Sequence, residues 1–147
     1  MDTFDFEGVN MVFLGGYHDS RFLPGDGLLF TPVFYRAAQN ELRDYRNQNE
    51  PTIFVTHGPP LTDDSPIDYV PNVGHVGDPN LTAIMNSDLR NIIHIHGHIH
   101  EGGGNQKEFP AGVSINVASV TDYQNPNAPT VGLLTIIDDI ATYTQLE

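Results

Sequence analysis

Apolar residues along this chain recur in two rhythms, and the change from one to the other marks out its elements. The run Val9–Leu14 is apolar and β-prone and is stopped by Gly15 and Gly16, so it reads as an early strand. After a loop, Thr31 and Pro32 offer a helix start. Phe34, Ala38, Leu42 and Tyr45 then recur at steps of four, four and three, the stripe of an amphipathic helix. The polar residues 47–51 end it, and Thr52–Thr56 reads as a short strand closed by His57-Gly58-Pro59-Pro60. Residues 61–77 are rich in Pro, Asp and Gly, follow neither rhythm, and are expected to form one long loop of the kind that often carries function. Asp78 and Pro79 then start a second helix with Leu81, Ile84 and Met85 on its apolar side. Four strands follow, over Ile92–His96, residues 113–117, Val131–Ile137 and residues 141–144.

This order predicts an α/β fold: one layered domain over residues 1–147 whose sheet turns antiparallel toward the C-terminus. There is no internal repeat and no low-complexity linker. No stretch approaches the length of a membrane span, and the first residues lack the basic and apolar regions of a signal peptide, so a soluble cytoplasmic protein is expected. Nineteen acidic residues against six basic ones give a net charge of −13, with Lys107 the single lysine. Such a surface repels phosphate backbones and argues against an electrostatic nucleic-acid grip. The same acidic, lysine-poor balance fits a halophilic source or an ordinary acidic protein, which a titration of stability against salt would separate.

The absence of cysteine leaves histidine, carboxylate and amide groups as the possible metal ligands. The seven histidines are not scattered. His57 follows one predicted strand, while His94, His96, His98 and His100 alternate along and beyond another. Side chains at i and i+2 of extended chain share a side, so His98 and His100 can reach a common site, with Gly97 permitting the exit that re-aims them. Strand ends of α/β sheets are where ligands collect, and His57, His98 and His100 are the candidate metal ligands. His94 and His96 are expected to face a neighbouring layer or a subunit contact. His75, in the long loop, is a candidate substrate-binding residue. His18, in Gly16-Tyr17-His18-Asp19, has no assigned role.

The motifs Thr56-His57-Gly58-Pro59-Pro60 and Gly97-His98-Ile99-His100-Glu101 resemble the last two signature blocks of calcineurin-like metallophosphoesterases. Residues 68–77, with their Gly-His-Val-Gly, look like a loop of small prokaryotic members, and Ile115-Asn116-Val117-Ala118-Ser119 looks like the strand and turn after the second block. The likeness runs from about Val9 to Ile137. It implies the C-terminal half of the family's layered β-sandwich flanked by helices, a partial domain. It also implies a phosphate mono- or diester as substrate and two divalent ions (manganese, iron, zinc or nickel) activating a bridging water. His57 and His98 would bind one ion and His100 the other. No protein nucleophile is then needed, so no catalytic side chain is assigned, and the cations would offset the acidic charge toward an anionic substrate.

The earlier family blocks are not found: there is no Asp-x-His and no Gly-Asp-x-x-Asp, and Gly16-Tyr17-His18-Asp19 has tyrosine where the family's third block has its ligating asparagine. Three histidines lack the carboxylates a two-ion centre needs. The expectation is therefore a truncated or split metal-dependent phosphoesterase, inactive alone. Its missing half would come from a complementary N-terminal-half chain or a homo-oligomer. The alternative is a non-catalytic interaction or assembly subunit on the same fold.

Overall fold

The computed structural model describes residues 2–6, 8–22, 25, 27–46, 51–118, 131–137 and 140–146. Residues 47–50 and Ser119, named above, lie outside the described residues.

The strand expected over Val9–Leu14 (β2) is preceded by one the pattern did not announce, Asp2–Phe6 (β1), its antiparallel partner, with Phe4 meeting the edge of Phe13 at 5.8 Å. The acidic residues of β1 mask its alternation. The first helix, α1, spans Pro32–Arg46, and the expected stripe faces inward: Ala38 and Leu42 are buried, with Phe34 and Tyr45 packed beside them. Thr52–Thr56 (β3) follows.

Residues 61–77 are more ordered than the expected loop. A one-turn 3-10 helix at Pro66–Asp68 is followed by two short paired strands, Tyr69–Val70 (β4) and Gly74–His75 (β5). The Asp68 carboxylate organises them. It is buried and accepts from the Thr62 and Gly77 backbone nitrogens and the Thr62 hydroxyl, so the segment is held by a side chain, which hydrophobic period cannot reveal.

Asp78 caps the second helix, Pro79–Met85 (α2), accepting from the Asn80 backbone nitrogen at 2.8 Å, and Leu81, Ile84 and Met85 are buried as the spacing predicts. The same carboxylate accepts from the Tyr35 hydroxyl and so ties α1 to α2. Ile92–His96 (β6) leads to a strand not expected from sequence, Gln106–Phe109 (β7), and then to Gly112–Asn116 (β8), one residue ahead of its expected place. Val131–Ile137 (β9) and Ile140–Leu146 (β10) form an antiparallel pair of their own.

The main sheet is mixed and six-stranded, in the order β1-β2-β3-β6-β8-β7. The four central strands are parallel and the two outer ones antiparallel, so the fold is α/β as expected, but the antiparallel strands flank the sheet on both sides. The edge strand β7 is short and carries Lys107 and Glu108, features that discourage edge-to-edge pairing. On one face, Val12, Leu14, Phe54 and Ile92 pack with the buried residues of both helices. On the other, Ile53, Ile93 and Ile115 form a second core against Leu134 and Ile136 of β9. Two stacked layers thus cover the sheet, as alternating side chains on a doubly buried sheet require. Among the described residues, no helix is long and apolar enough to cross a membrane.

Candidate functional site

The parallel register brings the ends of β2, β3, β6 and β8 level: Leu14 sits opposite Thr56, Val55 opposite Ile95, and His96 opposite Asn116. Parallel strands sharing a polarity must release their following loops at one edge of the sheet. Tyr17 and His18 leave β2 there, His57 leaves β3, and His98 and His100 follow β6.

His57 and His98 meet, Nε2 of the first 3.0 Å from Nδ1 of the second. The Gly97 backbone nitrogen, donating to the His57 carbonyl at 3.0 Å, stitches the two loops together. Tyr17 lies over the pair, its ring centre 4.3 Å from that of His98, 5.5 Å from His57 and 4.5 Å from His18. Its loop is pinned by hydrogen bonds to the Leu28 carbonyl and from the Phe30 nitrogen. Gly58 makes this packing possible, since a Cβ there would stand 2.2 Å from the Tyr17 ring. Burial, then the charges of Asp19 and Asp78, push the Tyr17 hydroxyl up to about 12, so it stays a donor at neutral pH.

His98 adopts φ 69°, a left-handed conformation uncommon for a residue other than glycine, while Gly97 has room for a Cβ with no neighbour closer than 3.8 Å. The turn out of β6 is therefore made by His98 and not by the glycine. The extended spacing expected for His98 and His100 also fails. The strand ends at His96, and His100 opens the one-turn helix His100–Gly102, so strand alternation does not govern these two side chains. Proximity survives nonetheless. Burial, then the neighbouring His57, His100 and His18, hold the His98 imidazole down to about 4, and burial alone lowers His57.

The two histidines within β6 differ from those beyond it. His94 is wholly buried, stacked on Phe54, and bound on both nitrogens: Nε2 to the Thr56 hydroxyl at 2.8 Å and Nδ1 to the Ser114 hydroxyl at 2.9 Å. The Thr56 hydroxyl donates its one hydrogen to the Gly58 carbonyl, so the His94 Nε2–H donates to Thr56 and Nδ1 accepts from Ser114. This is a neutral imidazole in a satisfied network, and burial lowers its pKa well below the ordinary value. His96 is buried beside it, 5.1 Å between ring centres, and neither of its nitrogens meets hydrogen-bond geometry. Burial holds it down to about 3, offset only in part by the Gly97 backbone and the Asp68 carboxylate. Both face the layer above the sheet, one of the two placements expected for them.

As a metal centre the donor set is incomplete. Among the described residues, no three His, Asp or Glu side chains form a group that could hold an ion. Three carboxylates of the surrounding loops are engaged: Asp19 with Arg21, Asp78 with Tyr35 and Asn80, and Asp68 with Thr62, Gly77 and His75. The described residues therefore do not by themselves make the two-ion centre that the motifs imply.

His75 lies in β5, its Nδ1 2.9 Å from Asp68 Oδ1, and lines a cavity of about 340 Å³ with Asp64, Ser65, Pro66 and Tyr69. Tyr17 and Asp68 had no role in the sequence reading. Nothing in the local pattern announces an aromatic lid contributed from one strand to histidines of two others, whereas the Asp68…His75 spacing inside a Pro- and Gly-rich segment was a usable signal.

Against family models, curated proteins and solved structures alike, the chain finds no match.

Proposed function

We propose that this domain carries the histidine half of a metal-dependent phosphoesterase site, on the C-terminal half of a calcineurin-like metallophosphoesterase fold. His57 and His98 would serve one divalent ion and His100 a second. The carboxylates would come from a second segment or chain, the substrate being a phosphate mono- or diester. The observation that carries this reading is the convergence of His57 and His98, 41 residues apart in sequence, at the common end of four parallel strands beneath Tyr17. The two His-bearing motifs and the two layers on a mixed sheet support it. The ions, when bound, would supply Lewis acidity and a nucleophilic water. The chain's own contribution is orientation: the Gly97–His57 backbone bond fixes the pair, and the depressed His98 imidazole stays neutral and able to ligate at physiological pH.

One observation favours a second reading, a non-catalytic assembly subunit. His57 and His98 address each other at hydrogen-bond distance, an arrangement complete without an ion. Titration of manganese or zinc into the purified chain, read by calorimetry, separates the two. The enzyme reading expects binding that falls at least tenfold in His57→Ala and in His98→Ala, and hydrolysis of an aryl phosphate only when the carboxylate-bearing segment is added. Binding that ignores both substitutions sinks it in favour of the assembly subunit.

A further inference from the structure

The cavity beside His75 shares no residue with the histidine group at the strand ends and has a chemistry of its own. Asp68 is fully buried, and a carboxylate only accepts hydrogen bonds, so the proton between Asp68 Oδ1 and His75 Nδ1 belongs to the imidazole. Whenever the ring is neutral, that places its proton on Nδ1 and leaves Nε2, on the edge away from Asp68, as an acceptor. The Asp68 carboxylate also takes the Thr62 and Gly77 backbone nitrogens and the Thr62 hydroxyl, so the imidazole is mounted on a rigid base. Rigid seating of an acceptor on a half-exposed ring is more than burying a loop requires.

Besides Asp64, the remaining walls are Ser65, a proline and an aromatic ring. Tyr69 is 44% exposed and meets His75 edge-on at 5.3 Å, making a corner with open ring surface. Charge is cancelled at the rim, where Asp64 pairs with Lys107, the only lysine, at 2.6 Å. None of the lining residues is a lysine or arginine, and the Asp68 carboxylate stands directly behind His75. An anion meets no permanent cation in the lining and a negative charge behind the imidazole. The site is a depression largely open to solvent, its volume of about 340 Å³ at the lower end of small-molecule pockets, about 300 Å³.

We propose that residues 64–75 form a binding site for an uncharged planar ring bearing an N–H donor, the ring lying against Tyr69 and Pro66 and its N–H donating to His75 Nε2. A nucleobase and a simple aryl amine share this chemistry. The proposal stands whether or not the domain is a phosphoesterase.

The test follows the imidazole nitrogens of the full chain by NMR while adenosine, p-toluidine or inorganic phosphate is added. Without ligand, His75 is expected as the Nδ1–H tautomer. Adenosine should move its Nε2 resonance, with binding weakened at least tenfold in His75→Phe, which keeps a ring and loses the acceptor. Tyr69→Ala, at an exposed position, should weaken binding about as much. A response to adenosine alone assigns a nucleobase-type site, and a response to both amines an aryl-amine site. The proposal is overturned if phosphate binds in place of the amines, if neither amine moves the His75 signal, or if both variants bind as the wild type does.

Discussion

His94 and His96 follow the same spacing as His98 and His100, yet the two pairs have opposite surroundings. The first pair lies inside β6, where each side chain is walled in by neighbouring strands and covered by the layer above. One imidazole is bound on both nitrogens and the other is buried without a partner. The second pair begins two residues past the strand, where His98 turns left-handed and joins His57 and Tyr17. A two-residue repeat of one residue type therefore says nothing about shared role once the backbone leaves the strand. Within the sheet the histidines serve the fold, and past its end they are available for chemistry.

The sharpest way to break this contrast is to remove a ring from each side. His94→Ala should destabilise by about 3 kcal/mol, from the cavity under Phe54 and from the Thr56 and Ser114 hydroxyls left buried and unpaired. His98→Ala should cost less than about 1 kcal/mol, since it keeps the left-handed backbone and loses only the contacts of a partly exposed ring. Equal losses in denaturant titrations of the two variants would erase the distinction.

Acid should act first through the buried pair. His94 and His96 have folded pKa values below the unfolded value near 6.5, so the unfolded chain binds the extra protons. Stability is full above about pH 6.5 and falls as pH drops toward about 3, with a limiting slope near 1.4 kcal/mol per pH unit for each imidazole. His96→Leu should flatten part of that slope in melts taken between pH 6.5 and 4. An unchanged slope would show that His96 does not contribute.

Two glycines sharpen the comparison further. Gly58→Ala forces a Cβ against Tyr17 and should cost about 2 kcal/mol. Gly97→Ala, although inside the second motif, meets no close atom and should stay within about 1 kcal/mol of wild type. Thermal melts that rank the two the other way would overturn the packing argument. The smallest expected effect is a near balance. His98→Gly removes the left-handed penalty but loses the ring contacts with Tyr17 and His57, so stability should stay within about 1 kcal/mol of wild type while any metal binding that depends on this imidazole is abolished.

Much of the architecture was legible in local pattern because burial imposes it. The α1 stripe, the Asp78 cap and the strands β2, β3, β6 and β9 each follow from side chains that must face a core or a helix end that must be capped. What stayed hidden were elements whose side chains face water or one another. The edge strands β1 and β7 carry charges that blur alternation, and residues 61–77 take their order from one buried carboxylate.

The sequence by itself determined which residues could carry chemistry: the His-bearing motifs, the lack of thiols and the scarcity of cations. Only the tertiary structure decided which of them come together. Parallel pairing levelled four strand ends and brought His57 to His98, the turn at His98 separated it from His96, and Asp68 reached seven residues along to orient His75. Those pairings depend on register and backbone direction, which arise between segments and are written in none of them singly.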